Sequence, residues 1–307
     1  MTQINIDEDA ASLRKAMKGL GTDEDTIIKI VANRTNSQRQ QIKISFKNQF
    51  NRDLISDLKS ELRGKLEDAI IALFTEPIEY DCIQLKKAMK GAGTDEDTLI
   101  EIIATRPNNY LQQLHKKYRE IYNKELISDI HNELSGELRD LMTSLLQGAR
   151  DNESKFDEKT CIEKAEKLYK AGEGKIGTNE KVFYDILIKS SPNEIIGINN
   201  EYCKLSKKNL IQAIDSEFSG KVKKLLKTAV YGIVNPSEYF ATRVREAVKG
   251  LGTNDKLLMR ILITRDEIDM PQIKEAYQRL YNRDLVNDVK NDLSGDYKKL
   301  MVELCSH

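Results

Sequence analysis

The 307-residue chain balances 49 basic against 49 acidic side chains, so no global field draws it unaided onto nucleic acid or an anionic surface. No apolar run approaches the roughly 18 residues of a membrane-spanning helix, and the start of the sequence carries neither the basic stretch nor the apolar segment of a secretory signal. Cys82, Cys161, Cys203 and Cys305 form no C-x-x-C pair; they read as reduced thiols packed in a core, and the chain as cytoplasmic.

From the first residues onward, apolar side chains recur at helical spacing. Ala10, Leu13, Ala16 and Met17 make one face, Ile27, Ile30 and Val31 a second, and Ile42, Phe46 and Phe50 a third. Leu54, Leu58 and Leu62 make a fourth, and Leu66, Ala69, Ile70 and Leu73 a fifth, which predicts five helices between residues 4 and 75. Between the first and second helices lies Met17-Lys18-Gly19-Leu20-Gly21-Thr22. That loop returns as Met89-Lys90-Gly91-Ala92-Gly93-Thr94, as Gly174-Lys175-Ile176-Gly177-Thr178 and as Lys249-Gly250-Leu251-Gly252-Thr253.

Successive loops are 72, 84 and 75 residues apart, and an internal repeat overrides any domain count taken from length. The units run 4–75, 76–147, 158–232 and 233–307. A join at 148–157 separates the middle two, where Gly148-Ala149-Arg150-Asp151-Asn152-Glu153-Ser154-Lys155 loses apolar periodicity. Three of the 5 prolines, Pro107, Pro192 and Pro236, fall at predicted helix starts, where a missing N–H costs nothing. The chain is therefore expected to be all-α, with four repeats of five helices.

Each loop has a distant companion. Glu61, Glu133, Glu217 and Asp292 each lie 40 residues beyond the last loop glycine, in Glu61-Leu-Arg-Gly64, Glu133-Leu-Ser-Gly136, Glu217-Phe-Ser-Gly220 and Asp292-Leu-Ser-Gly295. One such loop alone is ordinary helix capping, and Thr22 with Asp25, or Thr94 with Asp97, fits a capping box. Capping does not call for a remote acid. If the second helix runs away from the loop and the fourth runs back, with the third crossing between them, loop and acid meet in space.

Glycines let a loop take positive φ and turn several carbonyls toward one point, and the acid adds a carboxylate. Calcium takes about six to eight oxygens of this kind, so three carbonyls and a bidentate carboxylate leave its shell incomplete. An anionic lipid phosphate can fill the open positions, and calcium and membrane then raise each other's affinity.

Recurring four times between about Asp7 and Leu304, the G-x-G-T loop with its acid 40 residues on closely resembles the annexin family. The resemblance implies a slightly curved disc of four five-helix repeats, with calcium loops on the convex face docking onto phosphatidylserine-rich membranes. Carried over by position, it implies calcium ligands at Met17, Gly19, Gly21 and Glu61, and at Met89, Gly91, Gly93 and Glu133. In the longer third loop they fall at Gly172, Lys175, Gly177 and Glu217. In the fourth they fall at Val248, Gly250, Gly252 and Asp292, where Val248 replaces the methionine without affecting a carbonyl ligand and the carboxylate is shorter. Leu20, Ala92, Ile176 and Leu251 stand at the loop tips, facing the headgroups. Minor calcium sites in the family would place Thr22 with Glu24 and Thr94 with Glu96. Charged residues lining a central hydrophilic channel would be Asp81, Glu101, Arg106 and Arg260, though the reading preferred for them is a buried structural ion-pair network.

Other chemistry is sparse. Gly172-Glu-Gly-Lys-Ile-Gly177 spells G-x-G-x-x-G but follows a predicted helix rather than a strand, so it lacks the context of a dinucleotide site. No EF-hand loop is present, and three scattered histidines make neither a zinc site nor a general-base constellation. No catalytic nucleophile stands out, so the chain is not expected to be an enzyme. Arg34, Arg106 and Arg265 close the second helices of repeats one, two and four, a pattern broken by Ser190. The expected partner is an acidic phospholipid membrane reached through bridging calcium, reversibly and from the cytoplasm. Nucleic acid is not expected, self-association on the membrane is possible, and no protein partner is indicated. A calcium-regulated ion conductor and a helical protein scaffold are the alternatives.

Overall fold

The computed structural model describes residues 4–19, 21–91, 93–151, 157–250 and 252–306, and among these every regular element is an α-helix. Repeat I holds α1 (Ile6–Ala16), α2 (Glu24–Ala32), α3 (Asn36–Phe50), α4 (Leu54–Glu61) and α5 (Gly64–Leu73). Repeat II holds α6 (Pro77–Ala88), α7 (Glu96–Thr105), α8 (Asn108–Tyr122), α9 (Leu126–Glu133) and α10 (Gly136–Leu146). Repeat III holds α11 (Glu158–Ala171), α12 (Glu180–Lys189), α13 (Pro192–Leu205), α14 (Leu210–Glu217) and α15 (Gly220–Val234). Repeat IV holds α16 (Pro236–Val248), α17 (Asp255–Arg265), α18 (Met270–Tyr281), α19 (Leu285–Asp292) and α20 (Gly295–Cys305). The all-α expectation holds, with five helices to each repeat.

Local chemistry sets the helix ends. All 5 prolines, the unanticipated Pro77 and Pro271 included, sit at a cap or in a first turn, where no N–H is needed. Three of the third helices, α3, α8 and α18, stop at Asn51, Asn123 and Asn282, each left-handed with φ near 50°. Asparagine tolerates that conformation better than most side chains. The matching α13 ends instead at Ser206 in an extended conformation. The apolar stripes lead inward: Leu13, Ile27, Ile42, Phe46, Leu58 and Ile70 are all fully buried. Two expectations fail. Phe50 is only half-buried, leaning edge-on against Phe46 with ring centroids 5.1 Å apart. Cys203 is exposed, because its neighbour Tyr202 takes the inward place on α13, while Cys82, Cys161 and Cys305 lie in the core as expected.

The chain gathers into two compact units. One joins repeat I, up to Tyr80, with the chain from Phe240 onward; the other runs from Asp81 to Tyr239. In the first, α2 packs on α20 and α5 on α17, and Lys299–Asp25 at 2.7 Å and Lys65–Asp255 at 2.6 Å mark where their ends meet. In the second, α7 packs on α15, with Lys221 3.0 Å and Lys224 2.6 Å from Asp97. Such exposed pairs contribute little stability, but they bring the loop end of one repeat against the next.

Arg34 pairs with Asp9 at 2.6 Å, and Arg106 with the buried Asp81 at 2.9 Å. In repeat IV the place of the aspartate belongs to Phe240; Arg265 lies over its ring at 4.3 Å and pairs with Asp269. In repeat III both members change, Lys164 standing for the acid and Ser190 for the arginine, and Lys164 Nζ donates to Ser190 Oγ at 3.0 Å.

A second arginine explains how repeat III manages without its own. In repeat I the buried Arg39 of α3 donates through Nε to the Val31 carbonyl at 2.8 Å and through a terminal nitrogen to that of Leu73 at 3.4 Å. The matching residue of repeat III is Ile195. The equivalent carbonyls, Leu187 and Ala229, accept instead from Arg150, in the join, at 3.2 and 3.5 Å, and that of Ser190 does so at 3.4 Å. Burial pulls the Arg150 guanidinium down to about 10, which leaves it charged at neutral pH. Asp151 N–H bonds to the Lys189 carbonyl at 2.7 Å, and Asn108 Nδ2 donates to the Arg150 carbonyl at 2.7 Å. Replacing Arg150→Ala removes the donor from the Leu187 and Ser190 carbonyls at the open end of α12 and is expected to lower stability by about 2 kcal/mol, measured by guanidinium unfolding followed by circular dichroism.

Asp288 accepts from Tyr277 at 2.7 Å and from Arg283 and Arg245, and the Arg283 hydrogen bond above all holds its carboxyl below the usual carboxylate range. A carboxyl depressed in the fold contributes stability above its unfolded value of 3.8, and that contribution is lost as pH falls through the lower folded value. The Asp288→Asn protein should accordingly start less stable at neutral pH and lose less than wild type on acidification from about pH 5 to pH 2, followed as the thermal midpoint.

Candidate metal centres

Each glycine loop is pinched at its base by one backbone hydrogen bond. The N–H of Asp23, Asp95, Asn179 and Asn254 reaches the carbonyl of Ala16, Ala88, Ala171 and Ala247, the last residue or last turn of the preceding helix, at 2.9, 2.9, 2.8 and 2.8 Å. The glycine before the threonine is left-handed in all four, with φ of 91° at Gly21, 96° at Gly93, 77° at Gly177 and 90° at Gly252. A side chain rarely adopts that conformation, so glycine is what lets the chain turn there. Met17, Met89 and Val248 are buried, so their side chains face the core and only their main chain is left to serve a site.

The remote acids arrive as the last residues of α4, α9, α14 and α19. In every repeat the loop threonine spans the gap. Thr22 Oγ1 donates to Glu61 Oε2 at 2.9 Å and Thr94 Oγ1 to Glu133 Oε2 at 3.0 Å. Thr178 Oγ1 donates to Glu217 Oε2 and Thr253 Oγ1 to Asp292 Oδ2, both at 2.5 Å. Residues 39 positions apart are thus in direct contact four times over.

These bonds overturn the capping box expected of Thr22 with Asp25 and of Thr94 with Asp97. The caps are Asp23 and Asp95, which accept from the N–H of Thr26 and Thr98 at 3.0 Å each. The Thr26 hydroxyl, which also bonds to Asp23, holds that carboxyl below its ordinary range. Relieved of capping, the loop threonine is available to the distant acid. Its 39-residue step to that acid was the sequence signal for this role.

The third loop differs in construction. Gly172 has negative φ, and its need for glycine comes from close approach: a Cβ there would stand 2.9 Å from Glu217 Cδ and 3.1 Å from Phe183 Cζ. The Gly172 carbonyl accepts from Lys175 N–H at 3.0 Å, and the Lys175 side chain is exposed. At the tip, Ile176 is fully solvent-exposed; the other three tips, Leu20, Ala92 and Leu251, lie outside the described residues. Of the minor-site acids, Glu24 lines the same groove as Glu61, whereas Glu96 is ion-paired with Lys221 at 3.2 Å.

Among the described residues no three of His, Cys, Asp and Glu gather as a metal cluster. Each centre offers one carboxylate beside a loop of main-chain carbonyls. An oxygen-only set of this kind, open on one side, suits a hard cation such as calcium rather than zinc. At Gly172 the absence of a Cβ lets the loop main chain lie directly against the Glu217 carboxylate, as such a site requires. Within the first unit, Lys299–Asp25 and Lys65–Asp255 hold the loop ends of repeats I and IV at one seam, so two centres stand side by side.

The annexin family model matches residues 8–73, 80–145, 163–229 and 239–304. Human annexin A4 is 42% identical over 302 residues, 98% of this chain and 95% of its own length. Human annexin A7 is 43% identical over 296 residues, 96% of this chain; the chain spans only 61% of that longer relative. Among solved structures, annexin III superposes with a TM-score of 0.93 at 37% identity, over 100% of this chain and 95% of its own. A calcium-bound annexin (Sm)1 superposes at 0.89 with 31% identity, over 99% and 90%.

The approach of Gly172 to Glu217 can be tested by a mutant cycle. Gly172→Ala should cost about 1–3 kcal/mol of stability in thermal unfolding, and Glu217→Ala in the same chain should recover most of that loss.

Proposed function

The chain belongs to the annexin family, which comprises calcium-dependent phospholipid-binding proteins, and on that premise we propose that it binds acidic phospholipid membranes through calcium held at its four loop-and-acid centres. The observation that carries this reading is the threonine-to-acid hydrogen bond, made in every repeat at 2.5 to 3.0 Å. It holds a single carboxylate against a turn whose carbonyls supply neutral oxygens, so a bound calcium keeps net positive charge and open coordination positions. A phosphate or serine carboxylate of the bilayer completes the shell. Neither partner is bound well alone, because the protein contributes one negative charge per centre and the overall chain charge is zero.

The ligands assigned are the main-chain carbonyls of Met17, Gly19 and Gly21 with Glu61, and of Met89, Gly91 and Gly93 with Glu133. Gly172, Lys175 and Gly177 serve with Glu217, and Val248, Gly250 and Gly252 with Asp292. No described helix is long and apolar enough to cross a membrane, which agrees with attachment at the surface. Ion conduction is not proposed: Asp81 is fully buried and takes hydrogen bonds from Arg106 and Tyr110 at 2.9 Å each.

Glu61→Gln, Glu133→Gln, Glu217→Gln and Asp292→Asn together should leave the far-ultraviolet spectrum unchanged while abolishing calcium-driven cosedimentation with phosphatidylserine vesicles. Each single change should cost only part of the binding, because contacts on one surface act through effective concentration. Undiminished sedimentation of the quadruple variant would falsify the ligand assignment.

A further inference from the structure

Repeat III secures its loop by a device that no other repeat shows among the described residues. Three residues into the fourth helices α4, α9 and α19 stands an aspartate that ties the helix to nearby cations. Asp57 meets Arg52 at 2.7 Å, Asp129 meets Lys86 at 2.8 Å, and Asp288 meets Arg245 at 3.0 Å. At the same place in α14 is Ala213. Here the carboxylate comes from the calcium loop itself, from Glu173 next to Gly172.

Ser206 Oγ donates to Glu173 Oε2 at 2.5 Å, and Lys208 Nζ forms an ion pair with Oε1 at 2.8 Å. Ser206 ends α13 one position ahead of the place where the other third helices carry their left-handed asparagine, a place held here by Lys207, and its hydroxyl also accepts from Lys208 N–H at 3.1 Å. Lys208 Nζ reaches on to Ser216 Oγ at 3.2 Å, one residue before Glu217. The Glu173 side chain is 15% exposed, shielded enough for its charge-assisted bonds to count. Glu173, Ser206 and Lys208 therefore fasten the loop, the turn after α13 and the helix carrying the acid into one piece.

We propose that Glu173 is a positioning residue that holds the third loop in its cation-receiving shape before calcium arrives, so that this centre fills at lower calcium than an unfastened loop would. The proposal rests on the calcium-and-membrane reading above. A site formed only part of the time binds more weakly by the fraction of time it is formed, and the latch removes that loss. The longer third loop, with one residue more between its pinching groups than the others, is the one that most needs such a fastening.

The chain contains no tryptophan, so Ile176→Trp places a single fluorophore at the exposed loop tip. The full-length Ile176→Trp protein is titrated with calcium in the presence of phosphatidylserine–phosphatidylcholine vesicles, and indole emission is followed. Adding Glu173→Gln should raise the calcium midpoint about tenfold, the factor expected when the competent fraction falls to roughly a tenth. Ser206→Ala, which keeps the charge pair, should raise it by less and carries the test if Glu173→Gln fails to fold. A purely structural latch would lower the thermal midpoint in calcium-free buffer and leave the calcium midpoint within about twofold of the parent, and that result overturns the proposal. A parent protein whose emission ignores calcium and vesicles sinks the calcium-and-membrane reading itself, and this proposal with it.

Discussion

A hydrogen bond from a loop threonine to an acid at the end of the fourth helix is the interaction on which the rest of the molecule turns. Forming it requires the second helix to carry the chain away from the loop, the third to cross and the fourth to return. The five-helix repeat is thus the shape that brings two segments 39 residues apart within reach. The glycines serve the same end, since only a chain free to turn left-handed can leave one helix and enter the next while facing the acid. The geometry of the loop-and-acid contact and the architecture are in this sense one constraint, imposed four times.

Much of this was legible in the sequence because it is periodic. Helical spacing in the first repeat marks its five helices, and the fixed step from glycine to acid marks the convergence of the Gly21 loop with Glu61. What escaped was the division of labour among small polar residues. Thr22 and Asp23 are both good caps, and nothing local says that Asp23 takes the cap and frees Thr22 for Glu61. Such choices depend on what the far side of the repeat presents, and that is tertiary information. The exposed Cys203 was missed for a related reason, as hydrophobic character alone does not say which of two adjacent residues, Tyr202 or Cys203, faces inward.

The departures of repeat III are correlated. Where repeats I and II pair Asp9 with Arg34 and Asp81 with Arg106, it sets Lys164 against Ser190. Where repeat I alone carries Arg39, repeat III has Ile195, as repeats II and IV have Leu111 and Met270, and takes Arg150 from the join. Where the others end the third helix with a left-handed asparagine, it uses Ser206, which bonds to the loop acid Glu173. Each lost group is matched by a compensating one, as packing demands when a buried carbonyl or charge would otherwise go unmet. Read position by position these look like losses; read in three dimensions they are exchanges of supplier.

The origin of Arg150 carries one further consequence, for modularity. Because the cation that closes the end of α12 comes from the chain ahead of α11, repeat III is not a self-contained brick. Cutting the polypeptide at its helical boundaries would excise repeat I with its clasp but repeat III without one. A duplication or shuffling event that respected those boundaries would likewise deliver the third segment open at one end. The stretch that looks least regular along the chain is therefore the one that recombination could least readily discard.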